Sequence, residues 1–503
     1  MTSINSDFMS QLALRSLGNS SNMMTQAMER LSTGKRVNSA ADDAAGLGIA
    51  TKLRAQVNSL NAATRNATDA LALIGTIDGA LEESGEILLR MRELAVQSAS
   101  DTNTGTDRSF IQDEINALNN ELNRISSSTE FNSVKLLDGT YNNKQIQIGT
   151  GANQVFNIGV TATDSSTLGA YELESVAEIT ASSGTASAAA ATSALTTALA
   201  DAADYTVKGS FGSATVKVDA GADARDVAKS FNLSAGTTGI NATAITKASI
   251  TGLGKATTIS FTLQGKSTSA STVNATVDST SNLTALKDAI NSVSGATGIS
   301  ASLTTDLSGI NLVQQEGYDI VIGDVTTSHA SGTMTIKVAD KSGTAQGTEQ
   351  TLKGFTTADD SVAMVGQVSL SSHKAFTVAS GDAANHFATD TSAQTSTLQS
   401  MGAIDISSQT GATNALSVID GAIAMISEVR SEMGAAENRL TSTVDNLSNV
   451  SVNTQRSLTS VEDANFASET SALTKAQILQ QAATSMLAQA NSAKQTMLVL
   501  LQG

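Results

Sequence analysis

The residue types that most often carry chemistry are sparse in this chain and badly spaced for it. In 503 residues there is no cysteine, and the three histidines are His329, His373 and His386. A zinc centre needs His, Cys or carboxylate ligands at short fixed spacing, and neither an HExxH helix nor a carboxylate at ligand spacing accompanies any of the three. There is no phosphate-loop signature and no GxSxG motif. Asp42 and Asp43 are adjacent acids, but without His or Cys beside them Ser39-Ala40-Ala41-Asp42 reads as a capping box. Asp43 then lies at the positive end of the helix that follows. The glycines fall in turns of a β-rich middle region. None of the constellations of a catalytic centre is present, so the reading is a non-enzyme with no catalytic residue, metal or cofactor.

What the spacing does support is helix-to-helix recognition. Over the last thirty residues, steps of four and three land on Ala472, Ala476, Leu479, Ala483, Met486, Ala490, Ala493, Met497 and Leu500, all apolar. That is the seam of a coiled-coil or bundle helix, and a lone helix cannot bury it. The candidate mate lies at the other end of the chain, where residues 3–32 carry Leu14, Leu17, Met24, Met28 and Leu31 on one stripe and Ile4, Phe8 and Leu12 on another. Gly34 is a stop signal. The helix after Ser39 repeats Leu53, Leu60, Ala67, Ile74, Leu81, Leu88 and Ala95 every seven residues. Its companions Val57 and Leu71 give way to Asp78, Gly85 and Arg92, which predicts a seam that rotates or changes partner midway. A third helix carries Ile111, Ile115, Leu118, Leu122 and Ile125. Near the other end, Ile419, Ile426, Met433, Leu440 and Leu447 repeat every seven with Ile423 and Val444 beside them, and Ser460-Val461-Glu462-Asp463 reads as a capping box opening the terminal helix. Short helix, connector and long helix at the start are mirrored at the end, which places both termini together.

Between these helices the composition changes. Lys144–Gly149 and Gln154–Val160 alternate around a glycine-containing turn and predict a hairpin with Ile146 and Ile148 facing Phe156 and Ile158. Residues 161–403 are rich in Ser, Thr, Ala and Gly, and 181–203 approach low complexity. A repeat at an offset of 59 pairs Val218-Asp219 with Val277-Asp278, Phe231-Asn232 with Ile290-Asn291, and Thr238-Gly239-Ile240 with Thr297-Gly298-Ile299. Tyr205–Gly209 echoes Phe261–Gly265 with a three-residue slip. Each copy, about 204–249 and 261–310, predicts strand, strand, short helix around Val227 or Leu286, and strand. The expected fold class is therefore multidomain α+β. A long antiparallel helical bundle or coiled coil is formed by both termini, with a β-rich outer region inserted. The expected divisions are 1–38 with 460–503, 39–160 with 404–459, and 161–403, the last facing solvent and dispensable for assembly.

Net charge of −17 and a pI near 4.6 argue against nucleic acid or an anionic membrane as partner. The absence of proline removes the commonest helix kink. No run reaches the roughly 18 consecutive apolar residues of a membrane span, and the first residues have neither the basic nor the apolar region of a secretory signal, which alone predicts a cytoplasmic protein.

Glu29–Gly46 (ERLSTGKRVNSAADDAAG), Arg90–Gln97 (RMRELAVQ), Phe131–Leu137 (FNSVKLL) and Gln477–Ala482 (QILQQA) closely resemble bacterial flagellin, over about residues 1–160 and 410–503. The resemblance implies self-assembly into the flagellar filament for swimming motility, with the terminal helices in its core. The polymerisation seam would be Leu17, Met24, Leu31, Leu479, Ala483, Met486, Ala490, Met497 and Leu500. It also implies type III export to the cell exterior, which replaces the cytoplasmic expectation. The implied partners are further copies of the chain, an export chaperone at the C-terminal helix, and the filament cap and hook-junction proteins. Arg90, Leu94 and Glu114 match the flagellin residues read by Toll-like receptor 5. Alternatives within reach of the same sequence are a hook–filament junction protein, to which the Ser39–Gly46 motif is less suited, and a flagellin-like surface adhesin. A flagellin-like protein with a protease insert is disfavoured by the missing HExxH.

Overall fold

The computed structural model describes residues 8–175, 179–181, 203–267, 269–304, 306–329, 332–354, 360–380, 387 and 393–502. Ile4, His386 and most of the low-complexity stretch lie outside them. The helices among the described residues are α1 (Phe8–Thr33), α2 (Ala44–Ser98), α3 (Gly105–Ser128), α4 (Ala224–Leu233), α5 (Ala235–Thr238), α6 (Thr284–Ser292), α7 (Ser294–Thr297), α8 (Gln409–Glu462) and α9 (Phe466–Gln502). Packing divides the chain into two units: Met1–Gly75 with Asn143–Gly159 and Gly434–Gly503, and Thr76–Asn142 with Val160–Met433. The divisions expected from sequence follow helix ends and composition, whereas the packed units divide inside α2 and α8, which contribute to both.

On α2 the seven-residue repeat is buried from Leu60 to Ala95, with Leu53 half-buried. Val57 is buried as expected, but from Leu60 onward the companions lie one residue earlier than expected, at Ala63, Ala70, Ile77, Ser84, Met91 and Ser98. The seam thus shifts by one residue after Val57 and does not turn charged. A heptad averages 3.5 residues per half-step, so from any one position the companion is three or four residues on, and period alone does not choose. On α8 the expected Ile419, Ile426, Met433, Leu440 and Leu447 are all buried, and the row extends to Ala412 and Thr454. By length and composition alone α8 could cross a membrane; Val418 and Leu458 are buried beside this row, and Val450 and Val452 are exposed.

The two long helices run antiparallel. In the first unit Arg54 bonds Glu462, Asn61 bonds Ser451, and Leu60 and Ala63 pack on Leu447. In the second, Arg430 Nε meets Asp78 Oδ1 at 2.8 Å and Arg92 Nε meets Asp420 Oδ1 at 2.6 Å. The acids and bases read from sequence as a polar turn of the seam are thus the flanking ion pairs beside it. Hairpin strands Lys144–Gln147 and Val155–Ile158 form as expected, with Ile146 opposite Phe156 but Ile158 opposite Lys144.

On α3, Ile111, Ile115 and Leu122 are buried as expected, while Leu118 and Ile125 are half-buried and Asn119 and Ser126 lie inside. Both polar side chains have partners: Asn119 Nδ2 donates to the distant Met401 carbonyl at 3.1 Å and Ser126 Oγ to the Leu137 carbonyl, eleven residues on, at 2.8 Å. The Phe131–Leu137 segment begins as a two-residue hairpin turn. Asn132 and Ser133 adopt φ of 50° and 64°, and Phe131 pairs with Val134.

The β-rich region contains the repeat in the predicted order. The first copy runs Ala203–Lys208, Ser213–Val218, α4, α5 and Asn241–Leu253; the second runs Thr257–Gln264, Ser271–Val277, α6, α7 and Ile299–Leu303. The equivalence extends to individual bonds. Asn232 exchanges two hydrogen bonds with the Ala242 backbone, and Asn291 does the same with Ala301. Gly239 and Gly298 end the short helices at φ of 74° and 71°. Gly209 and Gly265, the pair related by the slip, each lie where a Cβ would strike the carbonyl of Thr238 or Thr297. The long strand Asn241–Leu253 serves both copies: Ala242 packs in the first core, and Ala248, Ile250 and Leu253 in the second.

One side of this region packs on the helical body. Strand Gly169–Glu174 pairs with Gln367–Ser372 on one side and Thr397–Ser400 on the other. It lies so close to α8 that a Cβ on Gly421 would come within 2.7 Å of the Gly169 carbonyl oxygen and Ala170 Cβ. Glu172, buried, accepts from Ser417 Oγ at 2.7 Å and from Lys341 Nζ at 2.6 Å, and Lys341 also reaches Glu174.

A second buried carboxylate is less well served. The turn Gly317–Asp319 docks on the start of α4 through Arg225 N–H to Gly317 O, 3.1 Å, with the Arg225 guanidinium 4.7 Å from the centre of the Tyr318 ring. Asp319 is 9% exposed, and neither of its carboxylate oxygens has a close hydrogen-bond partner. Desolvation, then the nearby Asp223, push its pKa up to about 7, opposed only weakly by the Gly366 amide. A carboxyl whose folded pKa lies above its unfolded value binds more protons when folded, so the fold gains stability as pH falls from about 7 towards 4 and forgoes it above. Asp319→Asn should therefore raise the stability of this unit at pH 8 by roughly 2 kcal/mol. It should also flatten the dependence of thermal midpoint on pH between those values, as calorimetry across the range would report.

Candidate functional site

Among the described residues no group of His, Asp and Glu could hold a metal ion, and the large apolar side chains the fold leaves uncovered concentrate on α1 and α9. These helices pair with each other, antiparallel, since Arg30 late in α1 bonds Glu469 in the first turn of α9 at 3.2 Å. The shielded face of α1 runs Ser10, Ala13, Leu17, Ser20, Met24, Ala27 and Leu31 in alternating steps of three and four. Leu17, Met24 and Leu31 are thus inward and half-buried, while Leu14 and Met28 from the same predicted stripe face outward.

On α9 the shielded positions are Leu473, Ala476, Gln480, Ala483, Leu487 and Ala490. Ala483 and Ala490 from the expected seam lie on this face, but Leu479 and Met486 do not, being 39% and 57% exposed. Gln480 and Leu487 take their places one residue on. The apolar walk read from sequence therefore straddles two faces, one turned to α1 and one to solvent. A helix this rich in Ala and Leu presents apolar atoms on more than one side, and spacing alone does not say which side the partner occupies. The side chains of Met497 and Leu500 lie outside the described residues.

The interface inside the pair is thin. Among the described residues its fully enclosed side chains are Ser10, Ser20, Ala27, Ala476 and Ala483, none of them large. Outside it stand Phe8, Leu12, Leu14, Met23, Met28, Phe466, Ile478, Leu479 and Met486, all exposed. More large apolar side chains face solvent than are fully enclosed, the reverse of a helix pair that is complete by itself.

The helices that follow the two connectors, α2 and α9, are begun by chemistry that sequence reading placed only approximately. At the start of α2, Ser39 and Asn38 amides donate to Asp42 Oδ2, so the Ser39–Asp42 turn forms. The helix itself is capped by Asp43, which accepts from the Gly46 amide at 2.8 Å. A Cβ at Gly46 would lie 2.2 Å from that carboxylate. At the other end Ser460 is still inside α8. It is Asn465 that caps α9, accepting from the Ala467 and Ser468 amides at 3.1 and 3.3 Å.

Of the three residues matched to receptor recognition, two meet at the surface. Arg90 Nη2 lies 2.9 Å from Glu114 Oε1 and its Nη1 is 3.0 Å from Glu93 Oε2, which holds the guanidinium pKa above its usual value. Leu94 is 2% exposed and faces the core, so it supports the pair from beneath instead of sharing its face. The large apolar neighbours that do emerge on α2 and α3 are Leu89, Val96 and Phe110.

Sequence profiles match three parts of the chain: the bacterial flagellin N-terminal helical region over residues 4–142, the bacterial flagellin C-terminal helical region over 416–501, and the flagellin hook IN motif over 258–314. The third coincides with the second copy of the internal repeat. Among similar proteins, B-type flagellin of Pseudomonas aeruginosa is 33% identical over 502 residues, covering 99% of each chain. Flagellin of Clostridium tyrobutyricum is 32% identical over 495 residues, covering 98% of this chain and all of the relative. Flagellin of Salmonella rubislaw is 32% identical over 522 residues, covering 99% of each. Matched from end to end by such relatives, and built from the same terminal helical regions, this chain belongs to the bacterial flagellin family.

Proposed function

We propose that the chain is the structural subunit of a flagellar filament, exported from the cell and polymerised outside it through α1 and α9. The observation that carries this reading is the uncovered apolar face of that helix pair, Leu12, Ile478, Leu479 and Met486 among it. Burying one such side chain contributes about 1.5–3 kcal/mol, and identical copies are the simplest partners able to bury all of them at once. Free α9 is also the natural docking site for an export chaperone before assembly, and the filament's two ends would meet the cap and hook-junction proteins.

Removing residues 472–503 should abolish filaments seen by negative-stain microscopy while leaving the helical signature of α2 and α8 intact; normal filaments from the truncated chain would defeat the reading. The single change Met486→Asp leaves the α1 contact untouched and should raise the critical concentration for assembly about tenfold or more, given the side chain's transfer free energy. The thin interface has its own consequence. Amide protons of α1 and α9 should exchange rapidly in dilute monomer and become protected in the polymer, while those of α2 stay protected in both.

A second role is supported by the exposed Arg90–Glu114 pair with Leu89, Val96 and Phe110 around it: recognition of the monomer by Toll-like receptor 5. Truncating an interfacial Arg anchor typically costs more than about 1 kcal/mol. Arg90→Ala with Glu114→Ala should lower receptor signalling several-fold without altering thermal stability, because an exposed ion pair contributes little to folding. An unchanged dose–response curve would assign the face to solvent alone.

A further inference from the structure

The two connectors that join the terminal helices to the long ones are not independent hinges. Gly34, at φ 71°, ends α1, and its carbonyl accepts from the Ala464 amide at 2.9 Å. The Arg36 amide donates to the Glu462 carbonyl at 2.6 Å, Arg36 Nη2 donates to the Val461 carbonyl at 2.8 Å, and Lys35 and Asp463 form an antiparallel bridge. Segments more than 400 residues apart in sequence thus form a short ladder.

At its centre is the side chain of Glu462, the last residue of α8, 8% exposed. One oxygen, Oε1, receives Lys35 Nζ at 2.5 Å from the first connector and Arg54 Nη2 from α2. A single carboxylate therefore ties three segments: the connector after α1, the first turns of α2, and the end of α8. Lys35 and Arg54 hold it ionised below the usual carboxylate range, against the cost of its desolvation. Burying such a charge yields little net stability, since desolvation offsets much of the attraction, whereas removing one partner leaves the others uncompensated. What the arrangement does supply is direction, because an ion pair with fixed donors admits few geometries.

We infer that Glu462 is a positioning residue for assembly: the Lys35–Glu462–Arg54 triad sets the angle at which the α1–α9 pair leaves the long helices, and so the geometry in which copies can stack. The inference rests on the filament reading above. The ties within the pair do not depend on the triad. Arg30–Glu469 holds α1 to α9, while Gln26 Nε2, which donates to Asp42 Oδ1 at 3.1 Å, is a separate, exposed tie from α1 to the turn before α2. Loss of Glu462 should free the elbow without separating the two helices.

Glu462→Gln keeps the shape and removes the charge, leaving two cations facing an amide. The variant should fold with a near-native circular dichroism spectrum and thermal midpoint. Its critical concentration should rise about tenfold, as loss of a buried charge partner implies. The filaments that do form should differ from wild type in helical rise and twist by cryo-electron microscopy. Glu462→Asp, which keeps the charge on a shorter arm, should recover part of the loss. If Glu462→Gln does not fold, Lys35→Gln with Arg54→Gln removes the same contacts from two half-exposed positions and should show the same assembly defect. Wild-type critical concentration and wild-type helical parameters in the folded variants would overturn the inference. Failure of the unmodified chain to polymerise would instead defeat the subunit reading on which it rests.

Discussion

Everything in the helical part depends on one constraint: α2 and α8 must each present an unbroken buried row along most of their length. On α2 large Leu and Ile positions are interleaved with Ala and Ser, while the α8 row is mostly Ile, Leu and Met, so small residues on one helix face large ones on the other. A proline in the interior of either helix would remove a backbone donor and kink it, and the chain contains none. The charged residues that might have broken the rows stand just beside them as Asp78–Arg430 and Arg92–Asp420, where they fix the antiparallel register. Sliding one helix by a turn would separate both pairs and misalign the buried residues together.

The β-rich region meets this frame through a feature of different character. Gly421 and the strand beginning at Gly169 approach too closely for any side chain at residue 421, and the buried Glu172 completes the joint by bonding both Ser417 and Lys341. Close backbone contact gives rigidity, and the charge pair gives direction. Much of the region is two copies of one small module sharing the long strand Asn241–Leu253, with further strands such as Ile320–Thr327 and Thr333–Ala339 paired onto them. Asp319, buried where the second copy's last turn docks on α4, is where this arrangement is least comfortable.

The terminal pair follows the opposite logic. Its inner face is lined by Ala and Ser and holds few large side chains, while Phe, Leu, Ile and Met residues remain outside. A monomer selected for stability alone would invert that distribution. For a subunit exported and then joined to many neighbours, as proposed, the distribution is an advantage, since ordering entropy is offset only when the neighbours arrive.

Period and composition by themselves determined the helices, the two long seams, the duplicated strand–strand–helix–strand module, and the kinship carried by Glu29–Gly46 and its companion motifs. Those signals are local: a seven-residue recurrence or a matched pair such as Asn232 and Asn291 is visible whatever the chain packs against. Only the tertiary structure decided which of two adjacent residues faces the partner, as with Ser84 over Gly85 and Leu487 over Met486, because a half-heptad step of three or four is equally periodic. It also decided that Leu94 is buried, that Asn119 finds a carbonyl in a distant segment, and that Asn465 caps α9. Above all it brought Glu462 to Lys35 and Arg54. Such contacts join residues hundreds of positions apart, and no spacing along one chain can encode which of many acids and bases will meet across a fold.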